Sequence, residues 1–312
     1  MCPRKCGIDR NKSIGVCGST DKIRIARYSL HLWEEPCISG TEEMQADSDC
    51  PINGSGTIFF TGCNLRCIYC QNYKISNGIV EDRAINQNKA QPKEYTIEEL
   101  ADIIQKLQSM GAANINLVTP THFSDKIKEA VVIYRKKCEL ENKNSLPIVY
   151  NCSGYESVDT LRSLEGIVDI YLTDFKYMDE DMAQKYSKAK DYPQVAKSAL
   201  IEMFRQQPRL VYDENGMLQK GIIVRHLILP GHTKNAKAVI EYLAKNYGSK
   251  ILISVMNQYT PVNEIENRCP ELARKITKRE YNKVLDYCYE LGLDNIYIQG
   301  NETAKESFIP DF

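Results

Sequence analysis

From residue 57 to residue 299 short apolar runs alternate with amphipathic segments, and this alternation constrains the fold more than any other feature. Residues 57–60, 114–119 (NINLVT), 147–151 (PIVYN), 168–175 (VDIYLTDF), 221–230 (GIIVRHLILP), 251–256 (ILISVM) and 295–299 (NIYIQ) read as strands. Thr96 to Glu99 is a capping box, and Ile97, Leu100, Ile104 and Leu107 follow at helical spacing. Further helical patterns lie near 124–138, 157–165, 179–207 and 235–247. A second capping box, Thr277 to Glu280, opens a helix through Leu291. Apolar strands each followed by a helix predict a parallel sheet covered on its outer face. About six β/α units with right-handed crossovers curl into an α/β partial (β/α)6 TIM-like barrel. An open doubly wound sheet is the alternative, but no Gly-x-Gly-x-x-Gly fingerprint supports it.

Five of these strands end in polar clusters: TPTHF (119–123), NCSGY (151–155), TDFKY (173–177), PGHT (230–233) and NQYTP (257–261). In a β/α barrel such ends converge on one face, where active sites are built. Turn chemistry accounts for the Gly, Pro, Asn and Asp. It does not account for Lys176, His122 or Tyr259, which point to a site.

Eight of the 12 cysteines fall within the first 70 residues. The opening MCPRKCGIDR has charges where a signal peptide needs an apolar stretch, and no run approaches the roughly 20 apolar residues of a membrane span. A cytoplasmic chain with no membrane partner is expected, and there thiols stay reduced and serve metal rather than disulfides. The formal net charge of −1 gives no field that favours nucleic acid.

Cys63, Cys67 and Cys70 stand at the end of the first strand, in GTIFFTGCNLRCIYCQNYKIS. Structural zinc normally takes four ligands, and no His lies near this loop. Three thiolates on one loop can instead grip three irons of a [4Fe–4S] cluster. The fourth iron then lacks a protein ligand and suits a chelating substrate.

The spacing Cys63-x₃-Cys67-x₂-Cys70, with Tyr69 before the last Cys, resembles the signature of the radical S-adenosylmethionine (SAM) superfamily. That resemblance implies a unique iron that chelates SAM, an aromatic beside the adenine, and a 5′-deoxyadenosyl radical that abstracts hydrogen from substrate. Residues 151–179 resemble the matching stretch of pyruvate formate-lyase activating enzymes, the activases of glycyl-radical enzymes, and the chain as a whole looks like a branch of their homologues. Its marks are HLWEEPCISG, INLVTPTH and QYTP. The carry-over puts Asn151, Ser153, Asp174 and Lys176 around SAM, with Asn151 and Asp174 where activases hold a monovalent cation. Arg225 stands in a similar strand end, VRHLILPG. The superfamily's Gly-Gly-Glu-like motif is replaced by NLVTPT, so Asn116, Thr119 or a backbone carbonyl must receive the SAM amino group. The implied partners are a reductant such as flavodoxin or ferredoxin and a glycyl-radical protein or peptide. Radical modification of a peptide or small molecule is the alternative, and a non-catalytic zinc or iron–sulfur protein is the alternative of another class.

Residues 1–55 read as a Cys-rich N-terminal extension and loop before a 56–312 barrel. Within it Cys2, Cys6 and Cys17, with Cys37 downstream, form a candidate second metal site, zinc or iron–sulfur. Cys50 is left unassigned. Cys138 and Cys288 read as packing thiols, and Cys152 sits at a strand end facing the proposed site. His31 reads as packing; His122, His226 and His232 fall at strand ends, where proton transfer competes with plain hydrogen bonding.

Overall fold

The structure is a computed structural model, described for residues 2–41, 44, 53–78, 93–262 and 264–299. Cys50 and most of the two polar stretches at 38–55 and 78–95 lie outside the described residues. The chain begins with β1 (Ile23–His31), a single turn α1 (Pro36–Ser39), β2 (Ser55–Phe60), a second turn α2 (Tyr73–Ser76) and a short β3 (Glu94–Tyr95). Then come α3 (Ile97–Ser109), β4 (Ile115–Val118), α4 (Ser124–Leu140), β5 (Ile148–Cys152), α5 (Val158–Ser163) and β6 (Ile170–Asp174). The last part is α6 (Glu180–Ser187), α7 (Tyr192–Gln206), β7 (Val211–Tyr212), β8 (Leu218–Leu227), α8 (Thr233–Tyr247), β9 (Leu252–Met256), α9 (Ile265–Arg268), α10 (Lys278–Glu290) and β10 (Ile296–Ile298).

The sheet order is β10-β9-β8-β6-β5-β4-β2-β1-β3, with β7 hairpinned onto β8. From β2 to β10 the strands are parallel, as the β/α alternation predicts; β1 runs antiparallel to β2, and β3 antiparallel to β1. Among the described residues the two ends do not pair, so the barrel is partial. Both capping boxes form. Glu99 N–H donates to Thr96 Oγ1 at 3.1 Å and Glu280 N–H to Thr277 Oγ1 at 3.2 Å, each worth about 1 kcal/mol.

Alternation along the strands separates two cores. Outward residues such as Tyr150, Tyr171, Ile222, Val224 and Ile253 pack with the helices. Inward residues Val149, Ile170, Leu172, Ile223 and Leu252 pack instead on Cys37 and Ile38 of α1. The turn α1 therefore plugs the barrel, and fully burying Ile38 contributes about 2 kcal/mol.

Three local features differ from the sequence reading. Residues 23–31, placed within the extension, form β1 of the main sheet, because the alternating IRIARYSLH finds a free edge at β2. The helical pattern at 179–207 breaks into α6 and α7 at Lys188, whose backbone is left-handed (φ 49°). Residues 211–220, to which the sequence reading gave no element, form a hairpin.

Candidate active site

The loop that leaves β2 is bent by Gly62 at φ 86°, where a Cβ would collide with Ser19 Oγ and the Cys17 carbonyl. Its N–H donates to the Ile75 carbonyl at 2.7 Å, and Cys63 N–H to the Cys17 carbonyl at 2.9 Å. Cys63, Cys67 and Cys70 emerge half-buried on this loop. Each sulfur has a donor: Leu65 N–H to Cys63 at 3.4 Å, Ser187 Oγ to Cys67 at 3.1 Å, and the Ser76 side chain to Cys70. Burial, with Cys70 and Cys67 alongside, pushes the Cys63 thiol up to about 12. Three thiolates here require a cationic centre. The donor set fits a [4Fe–4S] cluster, which takes one thiol on each of three irons.

Arg4 clamps that loop. Its guanidinium donates to the carbonyls of Asn64 (2.7 Å), Leu65 (2.8 Å), Ser187 (2.6 Å) and Lys188, and lies over the Tyr155 ring at 5.3 Å. A second tie runs from Gln71 Nε2 to the Gln258 carbonyl at 2.8 Å, beyond β9. The cluster loop thus covers the C-terminal ends of the strands.

Beneath it, the ends of β5 and β6 meet. Gly154 sits at φ 76° with no room for a Cβ against the Asp174 carbonyl. The Tyr192 hydroxyl lies 2.8 Å from the Ser153 carbonyl and 3.2 Å from that of Asp174, and accepts from Lys176 N–H at 2.9 Å. Lys176 Nζ is 2.6 Å from Asp174 Oδ2. Burial alone would lower the Lys176 ammonium, but Asp174 and the Cys67 and Cys70 sulfurs hold it above the usual lysine range. Ser153 Oγ is 3.5 Å from Asn64 Oδ1 of the cluster loop. Ser153, Asp174 and Lys176 are therefore gathered at the three cysteines.

The other residues assigned to SAM are more dispersed. Thr119 follows β4 at φ 58°, an uncommon strained conformation for a β-branched residue, with its N–H on the Asn151 carbonyl at 2.9 Å. Asn151 faces the interior in register with Val118 and Leu172. Asn116 lies deeper, and Arg225 lies beside Asp174 in register. Both meet acids from the segment before α1: Asn116 Nδ2 donates to Glu34 Oε1 at 2.8 Å, and Arg225 Nε to Glu35 Oε1 at 2.8 Å. Arg225 also pairs with Glu34. Burial alone would raise the Glu35 carboxyl; Arg225 outweighs it and holds the group ionised. Asn116 Oδ1 is buried without a partner. The Tyr69 ring is packed between Tyr186 and Tyr259, with its hydroxyl 2.7 Å from that of Tyr177.

The cysteines of the expected second metal site are gathered only in part. Cys2 lies beside Asn64 and near Cys17, Cys6 is exposed against the Val16 backbone, and Cys37 is in the barrel core next to Tyr297. The nine residues of β1 separate Cys17 from Cys37 by roughly 30 Å of extended chain. Among the described residues no three His, Cys, Asp or Glu side chains could hold a single metal ion.

His31 packs edge-on against Phe59, and the other three histidines make hydrogen bonds. His122 Nε2 is 2.7 Å from the Thr61 carbonyl, His226 Nδ1 is 2.7 Å from that of Phe175, and His232 Nε2 is 2.8 Å from the Tyr186 hydroxyl. Burial lowers His122 and His226 to about 4, so both are neutral near pH 7. Cys138 and Cys288 are buried in the outer core, and Cys152 is buried against Thr173 Oγ1 at 3.4 Å. Sequence reasoning missed Arg4, Tyr192, Ser187, Glu34 and Glu35. The block HLWEEPCISG stood out, but nothing in it showed that its acids enter the barrel.

A partial β/α barrel with three thiols on the loop after its first parallel strand defines a class of cluster-bearing enzymes whose site lies at the strand ends. The model of the Radical SAM superfamily matches residues 57–243, well over half of the chain, and the chain belongs to that superfamily. It is a radical SAM enzyme. It is 29% identical over 301 residues to the uncharacterized protein MJ0674 of Methanocaldococcus jannaschii, covering 95% of this chain and 76% of that one. It is also similar to the crystal structure of methylornithine synthase, PylB (TM-score 0.47, 13% identity, 73% of this chain and 59% of that one). Streptococcus suis SuiB bound to S-adenosylmethionine is matched with a TM-score of 0.47 and 15% identity, over 77% of this chain and 49% of that one. The chain spans about half the length of these solved structures. Among the described residues no helix is long and apolar enough to cross a membrane.

Proposed function

We propose that this chain binds SAM across the ends of β4, β5, β6 and β8, beside a [4Fe–4S] cluster on Cys63, Cys67 and Cys70, and abstracts hydrogen from a segment of a protein or peptide. The observation that carries the macromolecular substrate is the filled barrel. Cys37 and Ile38 occupy its lower interior, and the Glu34, Glu35 and Arg225 ion pairs lie alongside them. A small metabolite is usually held in a cavity that buries most of its surface. With its own chain inside the barrel, this enzyme offers its chemistry at the rim, which suits an extended loop presented from outside.

When bound, the cluster and SAM supply one-electron cleavage of the sulfonium and the hydrogen abstraction that follows. The protein's residues position and shield. Cys63, Cys67 and Cys70 hold the cluster, and Lys176, fixed by Asp174, offers an ammonium to a carboxylate. Ser153, Asn151 and the strained Thr119 after β4 complete a polar rim. A small electron carrier such as a flavodoxin or ferredoxin would supply the electron.

The likeness of residues 151–179 to the activases makes a glycyl-radical protein the first substrate to test. Reduced, iron-replete enzyme is incubated anaerobically with SAM and such a protein, and electron paramagnetic resonance is recorded. A glycyl doublet is expected. SAM cleavage that occurs only with a small metabolite, and alters that metabolite, overturns the proposal.

A further inference from the structure

We propose that Ser187, Tyr177 and Tyr69 form a one-way chain of hydroxyls that raises the reduction potential of the cluster through the Cys67 sulfur. This rests on the cluster assignment above and goes beyond it. Ser187 Oγ lies 3.1 Å from Cys67 Sγ, the Tyr177 hydroxyl 2.8 Å from Ser187 Oγ, and the Tyr69 hydroxyl 2.7 Å from that of Tyr177.

The direction of the chain follows from counting hydrogens. A thiolate bound to iron carries no proton, so Cys67 can only accept, and Ser187 must donate to it. Ser187 has one hydroxyl hydrogen, now committed. The hydrogen between Ser187 and Tyr177 therefore belongs to Tyr177. That commits the Tyr177 hydrogen in turn, so Tyr69 donates to Tyr177. Three dipoles point the same way and end on one sulfur.

The setting makes the chain effective. Ser187, Tyr177 and Tyr69 are 1%, 0% and 4% exposed, so water does not screen them. In a low-dielectric interior successive hydrogen bonds polarise one another. Each member is also held independently. Arg4 grips the Ser187 carbonyl at 2.6 Å, Tyr192 packs edge-on to the Tyr177 ring at 5.2 Å, and Tyr186 and Tyr259 flank Tyr69. The donors on Cys63 and Cys70, Leu65 and Ser76, come from the loop and the turn after it; that on Cys67 comes from residue 187, at the end of α6. Hydrogen bonds to ligating sulfurs stabilise the reduced, more negative cluster and so raise its potential.

The test is a redox titration of anaerobic, iron-replete full-length enzyme followed by electron paramagnetic resonance, for wild type, Ser187→Ala, Tyr177→Phe and Tyr69→Phe. Iron content is measured beside it. All three variants should keep four irons and titrate at more negative potentials. The shift should be largest for Ser187→Ala, smaller for Tyr177→Phe and smallest for Tyr69→Phe. If Ser187→Ala loses its cluster, Tyr177→Phe decides, because it leaves Ser187 and its packing in place. Iron-replete Tyr177→Phe with an unmoved or more positive potential overturns the relay alone. Wild-type protein that takes up no iron overturns the cluster assignment and the relay with it.

Discussion

Arg4 and Ser187 lie 183 residues apart in the chain, and the Arg4 guanidinium donates to the Ser187 carbonyl at 2.6 Å. The same guanidinium reaches Asn64, Leu65 and Lys188, so one side chain ties the N-terminal segment and the end of α6 to the cluster loop. Leu65 and Tyr69 anchor the cluster loop in the core, and Arg4 adds a polar clamp on its backbone carbonyls.

Arg4→Ala should therefore loosen the cluster before it unfolds the barrel. Losing charge-assisted bonds to several carbonyls costs on the order of 2–3 kcal/mol. The iron should dissociate faster in a chelator challenge, with far-ultraviolet circular dichroism unchanged. Arg4→Lys should recover only part of the loss, because an ammonium cannot match a planar fork. Chelation rates equal to wild type in Arg4→Ala would show that the clamp is dispensable.

Replacing any one of Cys63, Cys67 and Cys70 by Ser should abolish a stable cluster, since each thiolate serves its own iron. Iron analysis of anaerobically purified protein measures this. Serine at Cys6 or Cys37 should leave the iron content of the main cluster unchanged, as Cys6 is exposed and Cys37 lies in the barrel core. Stoichiometric zinc on Cys63, Cys67 and Cys70, in colourless protein, would contradict the assignment.

Lys176→Ala should weaken SAM binding by roughly ten- to hundredfold, the worth of a lost charge-assisted contact, without removing iron. Lys176 Nζ is fixed by Asp174 at 2.6 Å, so Asp174→Asn should have a weaker effect in the same direction. Equilibrium binding to the cluster-loaded enzyme gives both values. Unchanged affinity in Lys176→Ala would place the SAM carboxylate elsewhere.

Glu156 gives a pH dependence. It is 1% exposed and accepts from Thr121 Oγ1 at 2.6 Å and the Tyr150 hydroxyl at 3.3 Å. Burial raises its carboxyl to about 8 despite those two bonds. The folded state thus keeps a proton that the unfolded chain, titrating at an ordinary carboxylate value, has released. Stability should fall as pH rises from the ordinary carboxylate range toward 8, and level off above it. Glu156→Gln removes this slope, so its melting temperature should rise relative to wild type between pH 5 and pH 8. A difference that is flat across that range would show that Glu156 ionises normally in the fold.

The sequence by itself determined the architecture. A hydrophobic period that switches between strand and helix, two capping boxes and three cysteines in one loop are local signals, each contained within about a dozen residues. They sufficed for the parallel strands and the partial barrel, because backbone hydrogen bonding and burial obey short periods. The strand-end pair Asp174 and Lys176 was legible for the same reason: register follows from the strand pattern.

Tertiary structure decided the rest. Alternation in 23–31 was a strand signal, but only the free edge of β2 made it β1. Nothing near Glu34 and Glu35 indicates that Arg225, 191 and 190 residues away, will receive them inside the barrel. Cys37 lies among N-terminal cysteines in the sequence and among Val149, Leu172 and Ile223 in space. Arg4 on the cluster loop, Tyr192 between two strand ends and Ser187 on Cys67 are single side chains meeting distant partners. Such contacts have no period and no fixed spacing, since the chain between the partners is free to vary, and they exist only once the fold has closed.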